Sequence, residues 1–166
     1  MRKVAVNVAA GKPGFPARWK ERFDSNASPR FQCGLKAAGP ESGRLKADLA
    51  LAEALGDRDF LSQIVTNLLT NAIHHNKPAG EVCVATPSEN GTAVLTVADH
   101  GPGIAPEDLP HVFERFYRAD KSRARANGNS GLGLAIGKAI MEAHGGQMEV
   151  SSAPGAGATF TVRLRA

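Results

Sequence analysis

The most regular hydrophobic pattern in the chain runs over residues 60–75. Apolar residues recur there every four positions and have apolar neighbours, which predicts an α-helix with a wide apolar face. These residues are Phe60, Ile64, Leu68 and Ala72, with Leu61, Val65 and Leu69 beside them. Asp59 is the predicted N-cap, and Lys77, Pro78 and Gly80 are expected to end the helix.

Four later segments alternate between apolar and polar residues, as half-buried β-strands do. Residues 81–87 and 92–99 are predicted to form a hairpin around a turn at 89–91. Residues 147–153 and 158–165 are predicted to be two final strands around a Pro-Gly-Ala-Gly turn.

A second helix is predicted over residues 132–144, where Gly145-Gly146 stops the helical period. The stretch 100–130 before it is rich in loop signals, with one short helical piece near 106–113. Because the helices come between hairpins rather than between single strands, the order predicts a two-layer α+β sandwich rather than a doubly wound parallel sheet.

The first 46 residues carry no long periodic pattern. Val4, Val6 and Val8 alternate with other residues and allow a short strand, but glycines and prolines interrupt everything that follows. This segment holds ten Lys/Arg and three Asp/Glu, a net charge of +7, whereas residues 47–166 carry −3. We predict an unassigned Gly/Pro-rich basic segment over 1–46 and a folded domain over 47–166.

Composition narrows the class of protein. The 166 residues, 42% hydrophobic and 22% charged, suit one globular domain. No run of eighteen apolar residues occurs, so we predict no transmembrane segment, and the short N-terminal apolar stretch predicts no cleavable signal. Cys33 and Cys83 lack metal-ligand spacing and are too few for a disulfide framework, which favours a reducing, cytoplasmic location.

A polar row lies on the first predicted helix. Asn67 and Asn71 are four residues apart and share one face, which His75 continues. Amide oxygens suit a hard cation, and amide and imidazole N–H groups suit phosphate. A solvated helix face is the alternative interpretation.

Glycines accompany two further candidate sites. Asp99 follows a predicted strand, where its carboxylate can accept a hydrogen bond from an exocyclic amine, while Gly101 and Gly103 let the backbone approach a flat ring. Gly131 and Gly133 lie where a loop enters the second helix, so exposed amides and the helix dipole favour an anion there. The alternatives are an ordinary turn and a flexible loop.

A basic run separates these two sites. Its residues are Arg115, Arg118, Lys121, Arg123 and Arg125. A basic loop beside a phosphate site can close over the phosphates, although such runs are usually solvated surface. Arg118 and Arg123 are the preferred candidates.

From about Gly56 to Arg165 these motifs together resemble the catalytic ATP-binding domain of bacterial sensor histidine kinases. The wider superfamily includes DNA gyrase, the heat-shock chaperone ATPase and the mismatch-repair protein MutL. Five motifs stand in the family's order: NLLTNAIHHN (N box), DHGPGI (G1 box), FERFYR (F box), SGLGLAI (G2 box) and the glycine motif PGAGATF. The resemblance implies the Bergerat fold, a mixed sheet backed by helices with a nucleotide lid, and implies ATP and Mg²⁺ as ligands.

The resemblance also implies roles at the phosphate end of the site. Asn71 would bind the Mg²⁺ with Asn67 assisting, and His74 and His75 would contact phosphate or ribose. His74 stands where the family often has Lys. The catalytic group of residues would be Asn67, Arg118 and Arg123, with the two arginines reaching the terminal phosphate from the lid. Amides of Gly131, Leu132, Gly133 and Leu134 would surround the phosphates.

At the base end, the resemblance implies that Asp99 accepts a hydrogen bond from adenine N6, with Thr159 nearby through water. Gly101, Gly103 and Ile104 would line the adenine pocket.

Asn67 separates kinase from hydrolase within this superfamily. The ATP-hydrolysing relatives have a Glu there that activates water, and an amide cannot take a proton at neutral pH. The family's acceptor is a His followed by an acidic residue, and none of the five His here fits that pattern.

The resemblance therefore implies a protein histidine kinase catalytic domain that is inactive alone and transfers phosphate to a histidine on another domain or chain. The expected partners are ATP, a phosphoacceptor dimerisation domain and, indirectly, a response regulator. We expect this chain to be a cytoplasmic monomer from a membrane-anchored parent, without nucleic acid. The alternatives are a serine kinase of the anti-sigma-factor type, against which the longer F box and lid argue, and a non-catalytic nucleotide-dependent binding module with a basic arm.

Overall fold

A mixed β-sheet with two helices against one face forms the centre of the computed structural model. The structure describes residues 3–5, 44–49, 53–86, 88–89, 91–119 and 131–165. In chain order the elements are β1 (Lys3–Ala5), β2 (Arg44–Leu49), β3 (Glu53–Leu55), α1 (Arg58–His75), β4 (Glu81–Thr86), β5 (Ser88–Glu89), β6 (Thr92–Asp99), a 3₁₀ helix (Leu109–His111), α2 (Gly133–Ala143), β7 (Gln147–Ser152) and β8 (Ala158–Arg165).

The main sheet has the strand order β2-β4-β6-β8-β7. β2 runs parallel to β4, and each other neighbouring pair is antiparallel. The two predicted hairpins are confirmed as β4–β6 and β7–β8, and β5 extends the first with Ser88 opposite Ala93. The parallel pair is joined through α1, a crossover that a tight turn cannot provide. The predicted α+β sandwich is confirmed.

One face of the sheet is buried against the helices. In β8 the alternate residues Ala158, Phe160, Val162 and Leu164 are buried, and those between them are partly exposed. This alternation is typical of a sheet that is covered on one side only. α1 packs against β6 and α2, and α2 packs against β7.

The predicted apolar face of α1 is confirmed at six positions and wrong at one. Its buried residues are Leu61, Ile64, Val65, Leu68, Leu69 and Ala72. Phe60 is instead 50% exposed, and its ring meets the edge of the His144 ring at 6.2 Å. The Phe60 side chain thus packs beside the end of α2 rather than over the sheet.

The helix starts earlier than predicted. Asp57 is the N-cap, with extended backbone, and its Oδ1 accepts hydrogen bonds from the N–H groups of Asp59 (2.9 Å) and Phe60 (3.3 Å). The prediction of Asp59 as the cap is therefore wrong. Asp59 lies in the first turn, where its negative charge interacts favourably with the helix dipole.

The predicted end of α2 at the glycine pair is confirmed. The Gly145 N–H donates to Glu142 O (3.0 Å) and the Gly146 N–H to Met141 O (2.8 Å), with Gly145 at φ +67. This is the Schellman pattern, in which a left-handed glycine lets the chain leave the helix.

The described parts of the N-terminal region belong to sheets. β1 pairs antiparallel with β3, which packs against β6 and β8. Val6 and Val8 of the predicted first strand lie outside the described residues. β2 crosses the boundary proposed between residues 46 and 47, and that boundary stays a prediction. Within the ranges that the structure describes, no helix combines the length and apolar character needed to cross a membrane.

Candidate nucleotide-binding site

Asp99 lies at the end of the central strand β6 and is only 7% exposed. Its Oδ1 accepts hydrogen bonds from the N–H groups of Gly101 (2.8 Å) and Ala158 (3.3 Å). Both bonds end on one oxygen of the carboxylate. The backbone thus stabilises a buried acidic group that would otherwise be costly to remove from water.

Close backbone contacts explain both glycines of the G1 loop (Asp99–Ile104). A Cβ on Gly101 would lie 2.2 Å from the carbonyl oxygen of His75, at the end of α1. A Cβ on Gly103, which has φ +75, would lie 2.0 Å from the carbonyl oxygen of Ala153, in the β7–β8 turn. The loop is therefore packed between α1 and the last hairpin, a fit that only glycine permits.

Ser152 was not predicted from the sequence, yet it joins the G1 loop to the last glycine motif. Its Oγ accepts from the Ile104 N–H (2.8 Å) and donates to the Gly157 carbonyl (2.6 Å). A Cβ on Gly157 would lie 2.0 Å from the Asp99 carbonyl oxygen. Thr159 lies one strand away, opposite Ala98 in the β6–β8 pairing.

The polar row on α1 faces the start of α2. Asn67 and Asn71 are half-buried, whereas His74 and His75 are exposed. The Asn67 Nδ2 donates to the carbonyl oxygen of Gly133 at 3.1 Å. This bond links the N box directly to the G2 box.

The G2 glycines form an open helix start. Leu132 is the N-cap of α2, and its side chain makes no capping bond. The first N–H groups of a helix have no partner within the helix, so an uncapped end suits an anion. Gly131, at φ +67, accepts a hydrogen bond from the Phe116 N–H at 3.1 Å. Leu134 packs against the core as a partly buried side chain.

The F box (Phe113–Arg118) begins with a phenylalanine that packs on the core and contains a second one that is exposed. Phe113 lies edge-on to Phe160, with ring centres 6.3 Å apart, and Lys138 Nζ lies 5.2 Å from the Phe113 ring centre. Phe116 is 69% exposed and has φ +64, a left-handed conformation that a bulky residue seldom adopts. Strain of this kind concentrates at functional sites.

Tyr117 joins the F box to the 3₁₀ helix. Its hydroxyl donates to Asp108 Oδ1 at 2.5 Å, and its ring lies 5.4 Å from that of His111. The hydrogen bond to Asp108, followed by partial desolvation and the nearby carboxylates, raises the pKa of Tyr117 above its ordinary value of 10.0.

Apolar residues line a groove of about 460 Å³ between the F box, α2 and the start of α1. Phe60, Phe116, Leu132 and Ile136 lie in its wall, and Ile136 is 38% exposed. Leu132 belongs to the uncapped helix start as well, so the groove, called here the α1–α2 groove, begins at the candidate phosphate site.

The predicted basic residues are only partly described. Arg118 is half-buried at the end of the F box. Arg123, with Lys121 and Arg125, lies outside the described residues.

α1 links the N box to both the G2 box and the G1 loop, through contacts of residues next to Asn71, Gly131 and Asp99. Asn67, one turn before Asn71, bonds to α2, and the last turn of α1 abuts the G1 loop beside Asp99. A buried carboxylate beside one end of α1 and an uncapped start of α2 are the features that a base and its phosphates would require, and they belong to an α+β module.

Comparison with known proteins identifies the family. Residues 56–166 match the family described as "Histidine kinase-, DNA gyrase B-, and HSP90-like ATPase", and the chain belongs to it. ATP is thus the nucleotide of this domain class. The histidine-kinase resemblance is confirmed, and neither alternative class is favoured.

Two curated relatives are a sensor histidine kinase and a sensor protein. The chain is 43% identical over 122 residues to the sensor histidine kinase RppB of Synechocystis sp., covering 72% of this chain and 27% of that protein. It is 43% identical over 108 residues to the sensor protein SrrB of Staphylococcus aureus, covering 65% of this chain and 18% of that one. The chain therefore spans about a quarter or less of the length of these relatives.

Solved structures share the fold. The mycobacterial sensor histidine kinase MprB is 33% identical with a TM-score of 0.64, covering 74% of this chain and 80% of that one. Full-length ShkA in complex with AMPPNP is 31% identical with a TM-score of 0.62, covering 74% of this chain and 25% of that one.

Proposed function

We propose that this chain is the ATP-binding catalytic domain of a two-component sensor histidine kinase. It holds Mg·ATP for phosphoryl transfer to a histidine on another domain or chain. The observation that carries the proposal is Asn67, which stands one helical turn before Asn71 and is bonded to α2 through its amide. An amide cannot deprotonate water, so the site suits retention of ATP for a different nucleophile.

In this proposal Asp99 recognises the base. Its Oδ1 is occupied by two backbone N–H groups, so the other carboxylate oxygen accepts from the adenine amino group. Gly101 and Gly103 leave backbone beside the ring, Ile104 adds an apolar contact, and Thr159 acts through water. The AMPPNP in the ShkA structure supports an adenine nucleotide here.

The phosphates lie at the other end, against the amides of residues 131–134. His74 and His75, in the last turn of α1, contact phosphate or ribose. Arg118, with Arg123 beyond the described residues, adds positive charge at the terminal phosphate.

The donor set fits Mg²⁺ that is bound largely through the nucleotide. Within the described ranges, no group of three His, Cys, Asp or Glu residues could hold a metal on its own. Mg²⁺ in nucleotide sites commonly takes one or two protein oxygens together with phosphate oxygens and water. Asn71 would supply such an oxygen, and Asn67 keeps its Oδ1 available because its Nδ2 is the atom bonded to Gly133. The ion would neutralise phosphate charge.

Transfer requires an external histidine. Its unprotonated imidazole nitrogen forms a bond to the γ-phosphorus, the bond from that phosphorus to the β-bridging oxygen breaks, and ADP leaves. The proton on the other ring nitrogen passes to solvent. Positioning and charge neutralisation contribute most of such catalysis, so this domain needs no base of its own.

The α1–α2 groove is the expected contact for the acceptor domain. Phe60, Phe116 and Ile136 expose apolar area there, and Leu132 makes the groove continuous with the phosphate site. A helical partner with an apolar face would place its histidine beside the terminal phosphate.

Labelled ATP tests the proposal. The chain is incubated with γ-labelled ATP and Mg²⁺, with and without a phosphoacceptor domain from a related sensor kinase. We expect acid-labile label on the acceptor domain only, together with very slow release of inorganic phosphate from the chain alone. Rapid hydrolysis by the chain alone would contradict the kinase assignment.

A further inference from the structure

Asn76 ends α1, and its two side-chain polar atoms differ in their hydrogen bonding. As the C-cap, with φ −70 and ψ 156, it turns the chain away immediately after His75. Its Oδ1 accepts hydrogen bonds from the backbone N–H groups of Lys77 (3.0 Å) and His100 (3.2 Å). Its Nδ2 is buried and, among the residues that the structure describes, has no hydrogen-bond partner. The side chain therefore acts through its oxygen.

Close packing against Gly80 restrains the position of Asn76 Oδ1. A Cβ on Gly80 would lie 2.2 Å from Asn76 Oδ1, so only glycine leaves room for the carboxamide. The neighbouring His100 ring is also restrained, since its Nδ1 lies 2.9 Å from the carbonyl oxygen of Glu81.

The bond to His100 acts on the peptide unit that joins it to Asp99. That unit is planar, so its N–H and its carbonyl group turn together. Asn76 bonds the N–H side, and the backbone of Gly157 packs so closely on the carbonyl side that a Cβ there would lie 2.0 Å from the oxygen. This peptide begins the Asp99–Gly101 turn, in which the Gly101 N–H donates to the Asp99 carboxylate, so its orientation fixes where that donor lies.

We propose that Asn76 is a positioning residue for base selection. Its Oδ1 connects the end of α1, the helix that carries the proposed metal ligands, to the peptide unit between Asp99 and His100 through a hydrogen bond. The inference rests on the proposed function, because it takes Asp99 as the adenine acceptor. Adenine has an amino group at C6, where guanine has a carbonyl oxygen, so an oriented acceptor favours ATP over GTP. When the hydrogen bond between Asn76 Oδ1 and the His100 N–H is removed, ATP affinity falls and GTP affinity changes little.

Two matched variants test this. Asn76→Asp keeps the oxygen acceptor and replaces the Nδ2 that bonds nothing with a second, negatively charged oxygen, which acts on ATP and GTP alike, whereas Asn76→Leu has a similar size and no acceptor. Calorimetry gives the Kd for Mg·ATP and Mg·GTP in each, and urea unfolding gives stability. We expect the ATP-over-GTP preference to fall about tenfold in Asn76→Leu and to stay within about threefold of wild type in Asn76→Asp.

A merely structural residue would lower stability while leaving the preference of the folded molecules unchanged. If Asn76→Leu does not fold, Asn76→Ala removes the acceptor without adding atoms, and the same fall is expected. The inference would be overturned if the ATP-over-GTP preference were unchanged in folded Asn76→Leu or Asn76→Ala. It would also be overturned if Asn76→Asp lost as much of this preference as Asn76→Leu. Neither result would affect the proposed function. A wild-type chain that binds neither nucleotide would overturn the proposed function as well.

Discussion

The two ends of the candidate site are built differently. At the proposed adenine end, Asp99 is buried, and hydrogen bonds join the G1 loop to Asn76 at the end of α1 and to the last hairpin. At the phosphate end, the helix start is uncapped, Phe116 is exposed in a left-handed conformation, and an apolar groove is open. In the proposed function, base recognition is therefore preorganised within this chain, whereas the end that transfers the phosphoryl group is open to a partner.

Asp99→Asn is the strongest test of the preorganised end. The Asn Oδ1 can still accept from Gly101 and Ala158, but an amino group replaces the free acceptor oxygen. We expect ATP affinity to fall by two to three orders of magnitude, about 3–4 kcal/mol, with little loss of fold. Titration calorimetry measures the affinity, and circular dichroism is the control. Unchanged ATP affinity would contradict the role of Asp99.

Substitutions at two glycines of the last glycine motif distinguish the effect of close packing from the effect of backbone strain near Asp99. Gly155 (φ +78) and Gly157 (φ +77) have nearly the same positive φ, but a Cβ on Gly155 meets nothing within 4 Å, whereas one on Gly157 meets the Asp99 carbonyl. Gly155→Ala is expected to cost about 1–2 kcal/mol through strain alone, and Gly157→Ala about 1–3 kcal/mol more. Urea unfolding measures both.

Only Gly157→Ala is expected to weaken ATP binding in its folded fraction. Equal effects of the two substitutions on stability and affinity would show that the contact with Asp99 does not matter.

A pair of isoleucines tests the open end. Ile136 (38% exposed) lies in the α1–α2 groove and Ile73 (36% exposed) lies outside its wall. Ile136→Ser is expected to raise the KM for an acceptor domain about tenfold and leave the Kd for ATP unchanged, because it removes apolar contact area. Ile73→Ser is the control and should leave both constants unchanged. Equal KM values for the two variants would argue against the groove as the docking surface.

The smallest expected effect concerns Tyr117. Its raised pKa means that folding favours the protonated phenol, so the associated stability is complete below the ordinary pKa of 10.0 and is lost as pH rises through the higher folded value. Wild type should thus lose stability above pH 10 more steeply than Tyr117→Phe. Thermal melting between pH 8 and about 11.5 measures this, and parallel curves would contradict it.

The sequence predicted the helices and hairpins well because each carries its own period. It placed the helix start at Asp59 because both aspartates are good caps, and only the extended backbone of Asp57 decides between them. It placed Phe60 in the core because helical spacing cannot tell where the sheet beneath a helix ends.

The hydrogen bonds of the candidate site could not be predicted from the sequence, because they join residues that are far apart along the chain. Asn67 and Gly133 are 66 positions apart, and Ser152 and Ile104 are 48 apart. Motif order located the glycines and Asp99, but no local signal marked Ser152. Asn76 carried a weak signal, as an Asn that ends a helix before Lys-Pro. The roles of the individual site residues stay predictions.

Calorimetric titration of the wild-type chain with ATP, with and without Mg²⁺, decides whether this chain binds Mg·ATP as proposed. We expect binding at one site per chain, strengthened by Mg²⁺ and much weaker when GTP replaces ATP. Absence of heat with ATP in a chain that circular dichroism shows to be folded would contradict it.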